Sequence, residues 1–129
     1  MTDKLSRILY AEDEPDIQMV AKLALESLGG YVVEISSSGE EAIERAPDFK
    51  PQLFLLDVMM PGIDGPTTFK GLRDLPQFAD TPVIFMTAKV QPGEVAGYTE
   101  LGALGVIAKP FDPMTLASQV QTIWQRHHG

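Results

Sequence analysis

The 129-residue chain has no cysteine. That excludes a disulfide framework, a thiolate metal site and a cysteine nucleophile, and it fits a reducing compartment. Histidine is nearly as scarce, since only His127 and His128 occur, both terminal and poorly placed to act as general bases. Basic residues are few: ten Lys+Arg stand against eighteen Asp+Glu, a formal net charge of −8. A surface this acidic repels phosphate backbones and anionic lipid, so neither direct nucleic-acid binding nor membrane binding is expected. No apolar run approaches the ~20 residues of a membrane span. The short run after Met1-Thr2-Asp3-Lys4 stops at Glu12-Asp13, too soon for a signal peptide, and a cytoplasmic location is expected. There is no lysine-bearing P-loop and no nucleophile elbow. Gly29-Gly30 precedes a strand pattern rather than a helix, which rules out a dinucleotide turn.

What is present is an ordinary globular composition, 44% apolar and 22% charged, at a length that suits one domain over 1–129. Apolar runs alternate with helical periodicity, without an internal repeat. Leu5 to Ala11 reads as a strand buried on both faces. Pro15 suits a helix's first turn. Ile17, Val20, Ala21, Ala24 and Leu28 then form an apolar stripe that Gly29-Gly30 ends. Tyr31 to Ile35 is a second strand. Ser38 and Glu41 have capping-box spacing ahead of Ala42, Ile43 and Ala46. Leu53 to Leu56 is a third strand, ending at Asp57. Met59 to Gly65 has loop composition and leads into a short helix through Phe69 and Leu72. Pro82 to Met86 is a fourth strand, ending at Thr87. Pro92 opens a helix carrying Val95, Tyr98 and Leu101. Gly105 to Ala108 is a fifth strand, ending at Lys109-Pro110. Asp112-Pro113 caps a last helix with Leu116, Val120 and Ile123 inward. Five βα units predict an α/β fold, a doubly wound five-stranded parallel sheet with helices on both faces.

The polar residues fall at the strand ends. Glu12 and Asp13 follow the first strand, Asp57 ends the third, Thr87 the fourth and Lys109 the fifth. Open α/β sheets bind ligands beyond the carboxyl ends of their strands, so these side chains should collect at one edge. Three carboxylates held together repel one another, and a divalent cation removes that repulsion. Magnesium takes oxygen ligands and few carboxylates. Glu12, Asp13, Asp57 and the backbone carbonyl of Met59 would make such a site. With the Lys109 ammonium and the Thr87 hydroxyl beside it, this donor set suits a transferring phosphoryl group, and Asp57 is the candidate nucleophile. Singly, each residue has an ordinary explanation. The acids from Glu12 to Asp16 suit a helix start, Asp57 a turn, Thr87 a cap and Lys109 the surface. Their joint placement at successive strand ends is what those explanations do not predict.

Four segments in order carry a resemblance: Glu12-Asp13; Leu55-Leu56-Asp57-Val58-Met59-Met60-Pro61-Gly62-Ile63-Asp64-Gly65; Met86-Thr87-Ala88; and Gly102-Ala103-Leu104-Gly105 leading to Lys109-Pro110-Phe111. From about Ser6 to Trp124 the chain resembles the receiver domain of two-component response regulators, including its single-domain chemotaxis members. The resemblance supports the flavodoxin-like strand order 2-1-3-4-5. It implies Asp57 as phosphoacceptor, and Asp13 and Asp57 as direct Mg²⁺ ligands. Glu12 would act often through water, with the Met59 carbonyl completing the protein ligands. Thr87 and Lys109 would engage the phosphoryl group, and Lys109-Pro110 would be a cis peptide. The donor would be a phosphohistidine on a sensor histidine kinase or a histidine phosphotransfer protein.

Glu12 departs from the family's commoner Asp, and Val106 stands where the family usually has Tyr or Phe. A signalling phosphoacceptor rather than an enzyme is expected. It would act on an output protein that the sequence does not name, as a monomer or a phosphorylation-dependent dimer. Two alternatives stay open. One is a docking module that works without phosphorylation. The other is a flavodoxin-like cofactor binder, which acids after the first strand disfavour because they repel a flavin phosphate. A haloacid-dehalogenase-type hydrolase would need an acid where Met59 stands.

Overall fold

The structure, a computed structural model, describes residues 4–128. Residues 1–3 and Gly129, included in the expected single unit, lie outside the described residues. Five parallel strands form one sheet in the order β2-β1-β3-β4-β5. They are β1 (Arg7–Ala11), β2 (Val32–Ser36), β3 (Leu53–Asp57), β4 (Val83–Thr87) and β5 (Gly105–Ala108). The intervening helices are α1 (Pro15–Gly29), α2 (Gly39–Phe49), α3 (Gly65–Arg73), α4 (Pro92–Glu100) and α5 (Leu116–His128). Order and helix count match the expectation. No helix of the described residues is long and apolar enough to cross a membrane.

β3 and β4 are buried at every position, because helices cover both sheet faces. Alternate side chains feed two cores. Leu53, Leu55, Ile84 and Met86 pack with Ala21 and Leu25 of α1 and with Leu116, Val120 and Trp124 of α5. Phe54, Leu56, Val83 and Phe85 pack with Ala42 and Ala46 of α2 and with Phe69 and Leu72 of α3. The ring of Phe85 lies 6.0 Å from Phe69 and 5.3 Å from Tyr98. Tyr98 gives α4 a hold on the second core, although no residue of that helix is fully buried.

Local chemistry sets the helix ends. Pro15 occupies the first turn of α1, and Gly30 ends it at φ 72°, a conformation open to glycine at little cost. Ser38 Oγ accepts the Glu41 N–H at 3.1 Å, satisfying one free donor of α2, while Glu41 Oε1 accepts the N–H of Ser37, the residue before the cap, at 3.0 Å.

Three helix readings need correction. On α1, Val20 and Leu28 are 43% and 54% exposed, while Leu25 is buried. Helical spacing defines a face but not which flank meets the sheet. Val20 lies on the flank that borders Phe111 and Pro113. Leu28 lies on the inward face but in the last turn, where it lines an open cavity with Leu5, Tyr31 and Ala117. On α4, Leu101 falls at the C-cap and is 44% exposed. On α5, regular helix begins at Leu116 rather than beside Pro113. Asp112 still caps, since its Oδ1 accepts the Met114 N–H at 2.9 Å and its carbonyl accepts those of Thr115 and Leu116 at 3.0 Å. A turn intervenes; Leu116 and Val120 face inward as expected, Ile123 packs half-buried against the same core, and Trp124 joins them.

Candidate functional site

Parallel strands place all their carboxyl ends at one edge, and the residues singled out by sequence meet there. Asp57 closes β3 and Thr87 closes β4, each 3% exposed. Glu12, directly after β1, is fully buried, and Asp13 is half-buried. Lys109 follows β5, and its peptide bond to Pro110 is cis, as the resemblance implied.

Lys109 Nζ is the hub. It donates to Glu12 Oε1 at 2.7 Å and to Asp57 Oδ2 at 2.8 Å. Burial alone would lower the pKa of this ammonium, but hydrogen bonds to Asp57 and Glu12 and their charges outweigh that and raise it above the ordinary 10.5. Asp57 Oδ1 accepts the Met59 N–H at 3.3 Å, which brings the Met59 backbone to the site while its side chain stays 73% exposed. Glu12 Oε2 accepts the Glu14 N–H at 3.1 Å. Thr87 Oγ1 accepts the Lys89 N–H at 3.1 Å, which leaves its own proton to be donated elsewhere.

Glu12, Asp13 and Asp57 each offer a carboxylate oxygen, all within 4.8 Å of one another. Three hard anionic donors at that spacing suit a magnesium-sized cation. The arrangement therefore combines a cation-competent acid cluster, a buried carboxylate able to act as nucleophile, an ammonium and a hydroxyl.

Sequence reasoning passed over three residues that shape this edge. Tyr10 belongs to the strand expected to be buried on both faces, yet its hydroxyl reaches Glu12 Oε1 at 3.4 Å. A tyrosine inside an apolar strand was the available signal, because its O–H needs a partner. Gln18 donates from its amide to the Glu12 carbonyl and, at 3.2 Å, to Ser37 Oγ. Nothing in the sequence marked that contact. Gly65, first residue of α3, has no room for a side chain. A Cβ there would stand 2.6 Å from the Asp57 carbonyl oxygen and 3.0 Å from Val58 Cα. Both neighbours are backbone at the strand end that carries Asp57, so neither can yield cheaply. Gly65→Ala is expected to lower stability by about 1–3 kcal/mol, measured by urea denaturation, and a loss below about 0.3 kcal/mol would contradict that packing.

Comparison with known proteins agrees with the geometry. The family model described as the response regulator receiver domain matches residues 8–121. The response regulator Rre1 of Synechocystis is 32% identical, the match covering 95% of this chain and 53% of that one. The alkaline phosphatase synthesis transcriptional regulatory protein PhoP of Bacillus subtilis is 38% identical over 93% of this chain and 49% of its own. The chain thus spans about half the length of these regulators. Among solved structures, Vibrio cholerae chemotaxis protein CheY4 superposes with a TM-score of 0.84 at 28% identity, covering 93% of this chain and 99% of that one. The receiver domain of Francisella response regulator 1452 gives 0.81 at 26% identity, over 95% and 98% of the two chains. The family match decides against the flavin-binding alternative.

Proposed function

The chain belongs to the response regulator receiver domain family, and from that premise we propose that Asp57 is its phosphoacceptor. The observation that carries this reading is the shared Lys109 ammonium, 2.8 Å from Asp57 Oδ2 and 2.7 Å from Glu12 Oε1. It holds the nucleophile in place and keeps a positive charge where phosphoryl charge would develop. In the reaction, an Asp57 carboxylate oxygen attacks the phosphorus of a phosphohistidine. The P–N bond breaks, the imidazole leaves, and Asp57 becomes an acyl phosphate.

Glu12, Asp13, Asp57 and the Met59 carbonyl would hold Mg²⁺, which when bound offsets the negative charge of the carboxylates and the phosphoryl oxygens. Lys109 turns to a phosphoryl oxygen, and Thr87 rotates its free proton toward another. The same groups serve hydrolysis of the acyl phosphate, so the domain assists its own phosphorylation and dephosphorylation without acting as an enzyme on other substrates. The donor is a sensor histidine kinase or a histidine phosphotransfer protein, in keeping with a cytoplasmic, single receiver unit. The output is a change in a protein-binding face, biased by the new charge at Asp57.

Incubation with acetyl phosphate tests this reading without a cognate kinase. Intact-mass spectrometry should show one added phosphoryl group with Mg²⁺ and none after chelation. Equal labelling in the presence of a chelator would defeat it.

A further inference from the structure

Tyr10 is fully buried in β1, opposite Ile35 on one side and Leu55 on the other. A phenol in such a place needs a hydrogen-bond partner. Among the described residues its hydroxyl has one, Glu12 Oε1 at 3.4 Å. The same oxygen accepts from Lys109 Nζ at 2.7 Å. Two donors therefore converge on one atom. The ammonium holds the close position, and the phenol stands at a distance long for an O–H···O bond. Burial first, then the charges of Glu12 and Asp57, keep the phenol above its ordinary pKa of 10.0, so it remains a donor.

The consequence rests on the proposed role of Asp57. A phosphoryl group there presents more acceptor oxygens and more negative charge than a carboxylate. Lys109, shared at rest between Asp57 and Glu12, would be drawn to it. Glu12 Oε1 would then lose its ammonium inside a fully buried environment, where an unmet acceptor is costly. We infer that Tyr10 is a positioning residue that takes over Glu12 Oε1 when Lys109 turns to the phosphoryl group, and so keeps the Glu12 carboxylate aimed at the cation. No proton is transferred; the phenol donates before and after. The handover depends on the length of Glu12, since a carboxylate one methylene shorter withdraws from a phenol already 3.4 Å away.

The test uses beryllofluoride as a phosphoryl mimic and the full chain in four forms: unsubstituted, Tyr10→Phe, Glu12→Asp and the double variant. Calorimetry measures Mg²⁺ affinity with and without the mimic, and the ratio gives their coupling. Tyr10→Phe keeps the ring, and thermal melting checks that each variant is folded. The coupling is expected to fall roughly tenfold in Tyr10→Phe, the size of one hydrogen bond to a charged group. It should fall no further when Tyr10→Phe is added to Glu12→Asp. A merely structural tyrosine would lower the melting temperature and leave the coupling alone. Coupling in Tyr10→Phe equal to that of the unsubstituted protein overturns the inference, as does the same tenfold loss in the Glu12→Asp background. If the unsubstituted protein itself shows no coupling, the Asp57 reading fails and the inference falls with it, a result distinct from failure in the variants alone.

Discussion

Lys109→Met is expected to destabilise the metal-free protein by about 3–5 kcal/mol, the usual cost of removing one partner from a buried ion pair. The lysine side chain is 18% exposed, and those of Glu12 and Asp57 are 1% and 5% exposed, so solvent can do little to compensate the two carboxylates left behind. Methionine fills much of the same space, so the loss reports charge rather than volume. Mg²⁺ should return a large part of that stability, and should bind the variant more tightly than the unsubstituted protein, because no ammonium then competes for the same oxygens. Denaturation with and without Mg²⁺ measures both effects. A loss under about 1 kcal/mol, the range of a surface pair, would show that the lysine is not clamped as described.

The same pair fixes a pH dependence. The Lys109 ammonium is favoured in the folded protein, with its pKa above the ordinary 10.5 despite the opposing effect of burial. A group whose pKa rises on folding contributes its full stabilisation below its unfolded value and loses it as pH climbs through the folded one. The stability gap between unsubstituted protein and Lys109→Met should therefore be flat across neutral pH and close only above 10.5. A gap that closes near pH 7 would place its origin in other groups.

Asp57→Asn is expected to abolish labelling by acetyl phosphate, while Asp13→Asn should weaken it through the cation and leave the acceptor intact. The amide is close in shape to the carboxylate but is neutral and a poor nucleophile. It can still accept from Lys109 through its oxygen, and Glu12 retains its own hold on the ammonium at 2.7 Å, so the variant should remain folded. Loss of the label therefore reports chemistry rather than collapse. Intact mass after labelling reads the result directly. Phosphoryl incorporation by Asp57→Asn at the unsubstituted level would assign the acceptor elsewhere.

The edge cluster was legible because it follows from placement, whereas the strand order 2-1-3-4-5 rested on the family resemblance. Asp57 and Thr87 each end a strand and Lys109 follows one, and parallel strands bring their ends to one edge whatever lies between. Pro15, Gly30 and Ser38 were legible because backbone stereochemistry or a single hydrogen bond decides them. Gln18 was not, because its contacts with Glu12 and Ser37 depend on how α1 sits over the sheet edge; Tyr10 carried only the signal that a phenol in an apolar strand needs a partner, without saying which. Gly65 was read as loop composition, and its close approach to the Asp57 carbonyl, where a Cβ would come within 2.6 Å, belongs to tertiary packing. The inward flank of α1 was misjudged at Val20 and Leu25 for the same reason. Periodicity fixes a helix's apolar face to within a flank, and the sheet beneath chooses the rest.

Locating the phosphoryl group is the most direct measurement. The unsubstituted protein, labelled by acetyl phosphate with Mg²⁺, is reduced with borohydride to trap the acyl phosphate, then digested and sequenced by tandem mass spectrometry. The trapped modification should lie at Asp57 alone. Modification at Asp13, Asp64 or a histidine, with Asp57 unaltered, would contradict the account.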